Sequence, residues 1–274
     1  MIDGTFTELN DPGAAAAPGS SASELLRIVG LEKRFGSGPL VLGGVDVAVR
    51  PGELLVVLGA NGSGKSTLLR CAVRLLQPDA GQVWLCGQDL ATLNGKQLRD
   101  ARRQAAMIFQ QIQLVRRRTA LENVAFGALG RLSTRKSLAP RLFPKELRNE
   151  AARSLERVGL AHKANDRADR LSGGQAQRVA VARALCQRAA VVLADEPVAS
   201  LDPQASDAVL TLLRDIAHVE RLGVVCVLHQ PDLARRYADR LVGILNGLIV
   251  FDRRPGDVEG AEIDRLYVGE PDDE

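Results

Sequence analysis

The chain has 274 residues, 46% of them apolar and 25% charged, enough to bury a substantial core as one large domain or two small ones. A formal net charge of +3 does not imply a nucleic-acid partner, and 3% aromatic residues argue against base-stacking platforms and aromatic membrane belts. Cys71, Cys86, Cys186 and Cys226 stand in apolar runs without paired spacing, which reads as small buried hydrophobes in a reducing compartment and not as metal ligands or disulfides.

Residues 1–22, with DPGAAAAPGSSAS at their core, form a small-residue tail expected to be disordered, and they lack the charged and apolar regions of a signal peptide. From Leu25 onward short apolar runs alternate with helical patterns. LLRIVGLEKRF, VLGGVDVAV and ELLVVLG predict strands, KSTLLRCAVRLL a helix, and GQVWLCG and AAMIFQ further strands. The segment from about 119 to 188 differs: TALENVAFGAL, KELRNEAARSLERVGL and GGQAQRVAVARALCQ are all helical, with Leu147, Ala151, Leu155 and Val158 recurring at helical spacing. The alternation then resumes with AAVVLAD as a strand. A helix follows over DPQASDAVLTLLRDIAHV, begun by Asp202 as N-cap and Pro203 at the first helical position. The strand GVVCVLH, the helix PDLARRYA and the strand pair LVGIL and LIVFD complete the pattern. The expectation is an α/β sheet domain over 23–252, interrupted by a helical insert at about 115–188. Residues 253–274, rich in acids and glycine, read as a peripheral C-terminal tail. No apolar run reaches 18 residues, so a cytosolic chain that does not span a membrane by itself is expected.

GANGSGKST, residues 59–67, follows a strand and opens a helix, the context a phosphate loop needs. Gly59, Gly64, Lys65 and Ser66 fit that pattern, with Ala60, Asn61, Ser63 and Thr67 completing the loop. Backbone N–H groups of Gly62, Gly64, Lys65 and Ser66 are expected to wrap phosphates at the helix start. Lys65 adds a charge to the β- and γ-phosphates, and Ser66 offers its hydroxyl to Mg²⁺. Such a metal needs an acid at a neighbouring strand end. VVLADEP supplies Asp195, with Glu196 beside it as base for the attacking water. Gln110 ends the strand AAMIFQ and His229 ends GVVCVLH; parallel strands gather their carboxyl ends around one crevice, so both are within reach of a γ-phosphate or its water.

The stretch LSGGQAQRVA, residues 171–180, is a capping box made by Ser172 and Gln175, yet it puts Gly173 and Gly174 in the first helical turn. Glycine there costs roughly 1 kcal/mol per residue against alanine. A second glycine-rich helix start asks for a second anion, but no lysine or metal acid accompanies it. It reads as half a site, completed in a two-fold dimer where each copy's Ser172–Gln175 closes over the other's nucleotide.

LSGGQ, GANGSGKST, VVLADEP, the ASLD containing Asp202, and His229 occur in the order of the ATP-binding-cassette ATPases, which the chain resembles from about Leu25 to Asp252. That resemblance implies a P-loop NTPase sheet with a helical subdomain insertion and an antiparallel β subdomain. It implies an ATP- and Mg²⁺-dependent hydrolase working as a homodimer, with two integral-membrane permease subunits and a periplasmic or lipid-anchored solute-binding protein. The place implied is peripheral, on the cytoplasmic face of the inner membrane, with no nucleic acid bound. By the same resemblance Gln110 senses Mg²⁺ and contacts the membrane partner, Phe35 stacks on adenine, Asp202 sits at the dimer seam, and His229 contacts the γ-phosphate. MIFQQIQLV, LFPKELRNEA, RADRLSGGQ and LADEPVASLDP look like the phosphonate-import ATPases of bacteria. Ala176, the VRRRT run and Leu248 depart from that group's usual glutamine, Val-Pro-Arg-Leu-Thr and Gly-Arg-Ile. Phosphite, phosphate or another small polar solute stays open as cargo. A non-transport cassette ATPase is the rival class, disfavoured by the single phosphate loop and the lack of sustained heptads or cysteine pairs.

Overall fold

The computed structural model describes residues 24–132 and 143–268. The expected disordered tail over 1–22 and the last residues of the chain lie outside them. Strands β1 (Leu26–Arg34), β2 (Leu40–Val49), β4 (Ala80–Leu85) and β5 (Gln88–Asp89) make an antiparallel sheet in the order β2-β1-β4-β5. A second sheet runs β10-β9-β3-β8-β7-β6, built from β3 (Glu53–Leu58), β6 (Ala105–Ile108), β7 (Val191–Asp195), β8 (Gly223–Val227), β9 (Arg240–Leu245) and β10 (Leu248–Arg253). All its pairings are parallel except the β9–β10 hairpin.

The central strands are continuous apolar runs because both faces are covered. In β3, Leu54, Val56 and Leu58 share a core with the helical insert, whereas Leu55 and Val57 share one with β1 and β2 and with α1 (Lys65–Ala72). The insert consists of α3 (Ala120–Ala125), α4 (Lys145–Arg157) and α5 (Gly173–Gln187), packed on one another. The remaining helices are α2 (Gly95–Arg102), α6 (Pro203–Glu220), α7 (Pro231–Tyr237) and α8 (Gly260–Asp264).

Three outcomes differ from the sequence expectations. The segment 86–104 carries β5 and α2, which the apolar pattern did not announce; α2 buries only Ala101. The strands expected to end at Gln110 and His229 stop at Ile108 and Val227. The expected peripheral tail from 253 is partly core. Val258, Ile263 and Leu266 are no more than 3% exposed and pack with Ala234 and Tyr237 of α7. Arg235 Nη2 donates to the Val258 carbonyl at 2.8 Å, and Glu259 and Glu262 close a capping box on α8. The acids and glycines there flank a short apolar set that the composition concealed.

Candidate active site

The residue before α1, Gly64, has φ 105°. A Cβ built on it would lie 2.6 Å from the Val41 carbonyl oxygen, so glycine alone meets both the left-handed backbone and the close approach of β2. Between them opens a cleft of about 240 Å³, lined by Val41, Asn61, Gly62, Gly64–Thr67 and Glu196. Lys65 is buried and donates Nζ to the carbonyl oxygens of Gly59 and Ala60, both at 2.7 Å. The loop thus holds its cation inside its own curve, next to the N–H groups that open α1.

β7 delivers Asp195 to the same place. Ser66 Oγ donates to Asp195 Oδ1 at 2.7 Å. Burial raises the Asp195 carboxyl above its ordinary range, against the pull of the Ser66 hydrogen bond; neighbouring Glu196 adds to the rise, and Arg70 and Lys65 oppose it. A hydroxyl and a carboxylate in contact are the hard oxygen donors Mg²⁺ takes alongside substrate phosphates. Among the described residues no group of three or more His, Cys, Asp or Glu could hold a metal by itself.

Glu196 follows at φ 49°, a left-handed backbone that costs a non-glycine residue about 1 kcal/mol or more. Its two carboxylate oxygens are both engaged. Gln110 Nε2 donates to Oε2 at 2.7 Å, and His229 Nε2 lies 2.6 Å from Oε1. Gln110 and His229, each two residues past its strand, therefore meet at the carboxyl edge of the sheet as the parallel topology requires.

Other expected residues lie outside the cleft lining. Phe35, just past β1, is 51% exposed, with Lys33 Nζ 5.6 Å from its ring centroid. Ser172 and Gln175 form both halves of the capping box, at 3.3 and 3.1 Å. Asp202 caps α6, its Oδ1 accepting from the Ala205 N–H at 2.9 Å. A Cβ built on Gly174 would come 2.9 Å from Ala205 Cβ, so Gly174 also lacks a side chain for the packing of α5 on α6. Burial pushes the thiols of Cys71 and Cys186 up to about 11, and all four cysteines are free.

Sequence reasoning passed over the residues that hold the loop carrying Gln110. Asn123, fully buried in α3, accepts from the Val115 N–H at 2.7 Å through Oδ1 and donates to the Thr119 carbonyl at 2.9 Å through Nδ2. An amide inside an otherwise apolar helical stripe was the available signal.

Residues 42–199 match the family model described as ABC transporter. The chain is 46% identical to a phosphonates import ATP-binding protein of Ruegeria sp. (strain TM1040), over 90% of this chain and 96% of that one. It is 47% identical to a phosphite import ATP-binding protein of Stutzerimonas stutzeri, over 89% and 88%. A dimeric ATP-binding cassette in a post-hydrolysis state, bound to ADP and Pi, superposes with a TM-score of 0.73 at 29% identity, covering 84% of this chain and 98% of that one. With its phosphate loop, its paired carboxylates and its helical insert in one sheet-centred fold, the chain belongs to the ABC transporter family, as an ATP-binding protein of the phosphonates-import type.

Proposed function

We propose that two copies of this chain close around ATP and Mg²⁺ and that hydrolysis drives phosphonate import through two membrane subunits fed by a solute-binding protein. The observation that carries the reading is the meeting of Ser66, Asp195, Glu196, Gln110 and His229 along one sheet edge beside the phosphate loop. The loop N–H groups and Lys65 bind the phosphates and hold them in line for attack. Ser66 and Asp195 would hold the metal, which when bound neutralises charge on the phosphate oxygens. Glu196 takes the proton of the attacking water, kept in orientation by Gln110 and His229. The Ser172–Gln175 helix start, with Asp202 beside it, supplies the partner copy's γ-phosphate site, and Phe35 meets the adenine. Among the described residues no helix is long and apolar enough to cross a membrane, which suits a subunit docked peripherally on its permeases at the cytoplasmic face.

The cargo rests on the relatives' names, and the phosphite-import relative supports a second reading in which phosphite is carried. ATPase of the chain assembled in lipid with its membrane and binding-protein partners separates them. Stimulation by an alkylphosphonate and not by phosphate is expected. Stimulation by phosphite alone would replace the cargo, and no stimulation by any solute would remove the transport reading.

A further inference from the structure

We propose that Arg183 is a positioning residue that ties the Ser172–Gln175 helix start to Gln110, so that movement of one end of α5 resets the contact between Gln110 and Glu196. This rests on the function proposed above.

Arg183 lies eleven residues after Ser172 on the single helix α5, about 16 Å along its axis at 1.5 Å per residue. Its Nη1 donates to the Gln113 carbonyl at 2.6 Å. Gln113 stands three residues past Gln110, in the connection that leaves the core after β6 and enters the insert at α3. Among the described residues this is the only hydrogen bond of the Arg183 guanidinium, and burial pulls that group below its ordinary range. A desolvated cation committed to one loop carbonyl is an expensive way to hold a loop, and it makes a charge-assisted bond stronger than a neutral one.

The main chain of Arg183 is engaged as well. Gly127, in the turn Phe126–Arg131, lies against its carbonyl, and a Cβ there would collide with that oxygen. Three pieces of the insert therefore converge on this one residue: the helix, the loop and the turn. Asn123 secures the far end of the loop at Val115 and Thr119. On the β6 side of the Gln113 anchor the loop's side-chain hydrogen bond to the sheet edge is Gln110 Nε2 on Glu196 at 2.7 Å, while Ile112 and Leu114 pack against the core. A helix this short moves as a rod. A displacement of its exposed start, where the other copy's nucleotide is proposed to dock, reaches Gln113 through Arg183 and Gln110 through three residues of backbone.

The test is a double-mutant cycle on ATP turnover by the full chain assembled with its partners, using Arg183→Ala, Gln110→Ala and the pair. Arg183→Ala is expected to lower kcat about tenfold while KM for ATP stays within about twofold, because the phosphate loop is untouched. Arg183→Lys, which keeps a donor, should recover part of kcat. The double variant should be no slower than Gln110→Ala alone, since Arg183 acts through Gln110. Losses that multiply in the double variant would overturn the inference and leave the proposed function standing. A Gln110→Ala chain with unchanged kcat would overturn the inference and the role given to Gln110 together. Should Arg183→Ala fail to fold, the cycle run with Arg183→Lys reads the same non-additivity.

Discussion

Asp195 holds a carboxylate at the buried end of β7 with the Ser66 hydroxyl as a hydrogen-bond partner, and burial disfavours its charged form. Replacing it with the neutral isostere removes that cost. Asp195→Asn is therefore expected to raise the nucleotide-free melting temperature by about 2–4 °C for each kcal/mol recovered, while lowering Mg²⁺-dependent kcat by at least about a hundredfold. Thermal unfolding without nucleotide, beside a turnover assay, checks both halves. A lower melting temperature would mean that the carboxylate is not under strain. Lys65, Ser66, Asp195 and Glu196 were legible from sequence because each sits in a local motif whose strand or helix context could be read. Val41, Asn123 and Arg183 were not, since their parts arise from contacts across the fold, such as a β2 carbonyl resting on Gly64. Nor does any local signal reveal that Glu196 adopts a left-handed backbone.

At the level of elements, the helical insert is fastened by Glu150 of α4. Its carboxylate accepts from Arg131 at 2.8 Å and from Arg188, past the end of α5, at 2.6 and 3.0 Å. Burial opposes the charge, but the hydrogen bonds from Arg188 and Arg131 outweigh it and hold the carboxyl below its ordinary range. A depressed carboxyl contributes stability that is present above the unfolded-state value and is lost as pH falls through the folded one. Glu150→Gln should therefore cost about 1–2 kcal/mol at pH 7, toward the low end because Arg188 is largely exposed. The gap to the parent should narrow as pH drops below about 4. Urea unfolding at the two pH values measures it, and a gap that does not change with pH would assign the loss to packing. The insert's helices were readable because Leu147, Ala151 and Leu155 repeat on one face and are buried there. Helix α2 was not, because a helix with one buried residue has almost no period to detect. The α8 segment was misjudged because composition averages over Val258, Ile263 and Leu266.

At the scale of the whole molecule, strand content was legible apart from the two-residue β5, but strand order was not. The placement of β3 between β8 and β9 depends on pairings of residues more than 160 positions apart, such as Leu54 with Val224, for which no local signal exists. From sequence a site divided in two was expected; the structure places Lys65, Ser66 and Glu196 on one cleft and an exposed helix start at Ser172 outside that cleft's lining. Under the proposed function, the Ser172 helix start serves another copy of the chain. Glu196→Gln keeps the phosphate loop and the Ser66–Asp195 pair while removing the base, so it should bind ATP and fail to reset. Light scattering on that variant reads whether two copies close around the nucleotide. A monomer mass without nucleotide and a doubled mass with saturating Mg²⁺-ATP are expected; a variant that binds ATP and stays monomeric would rule out a site shared between two copies.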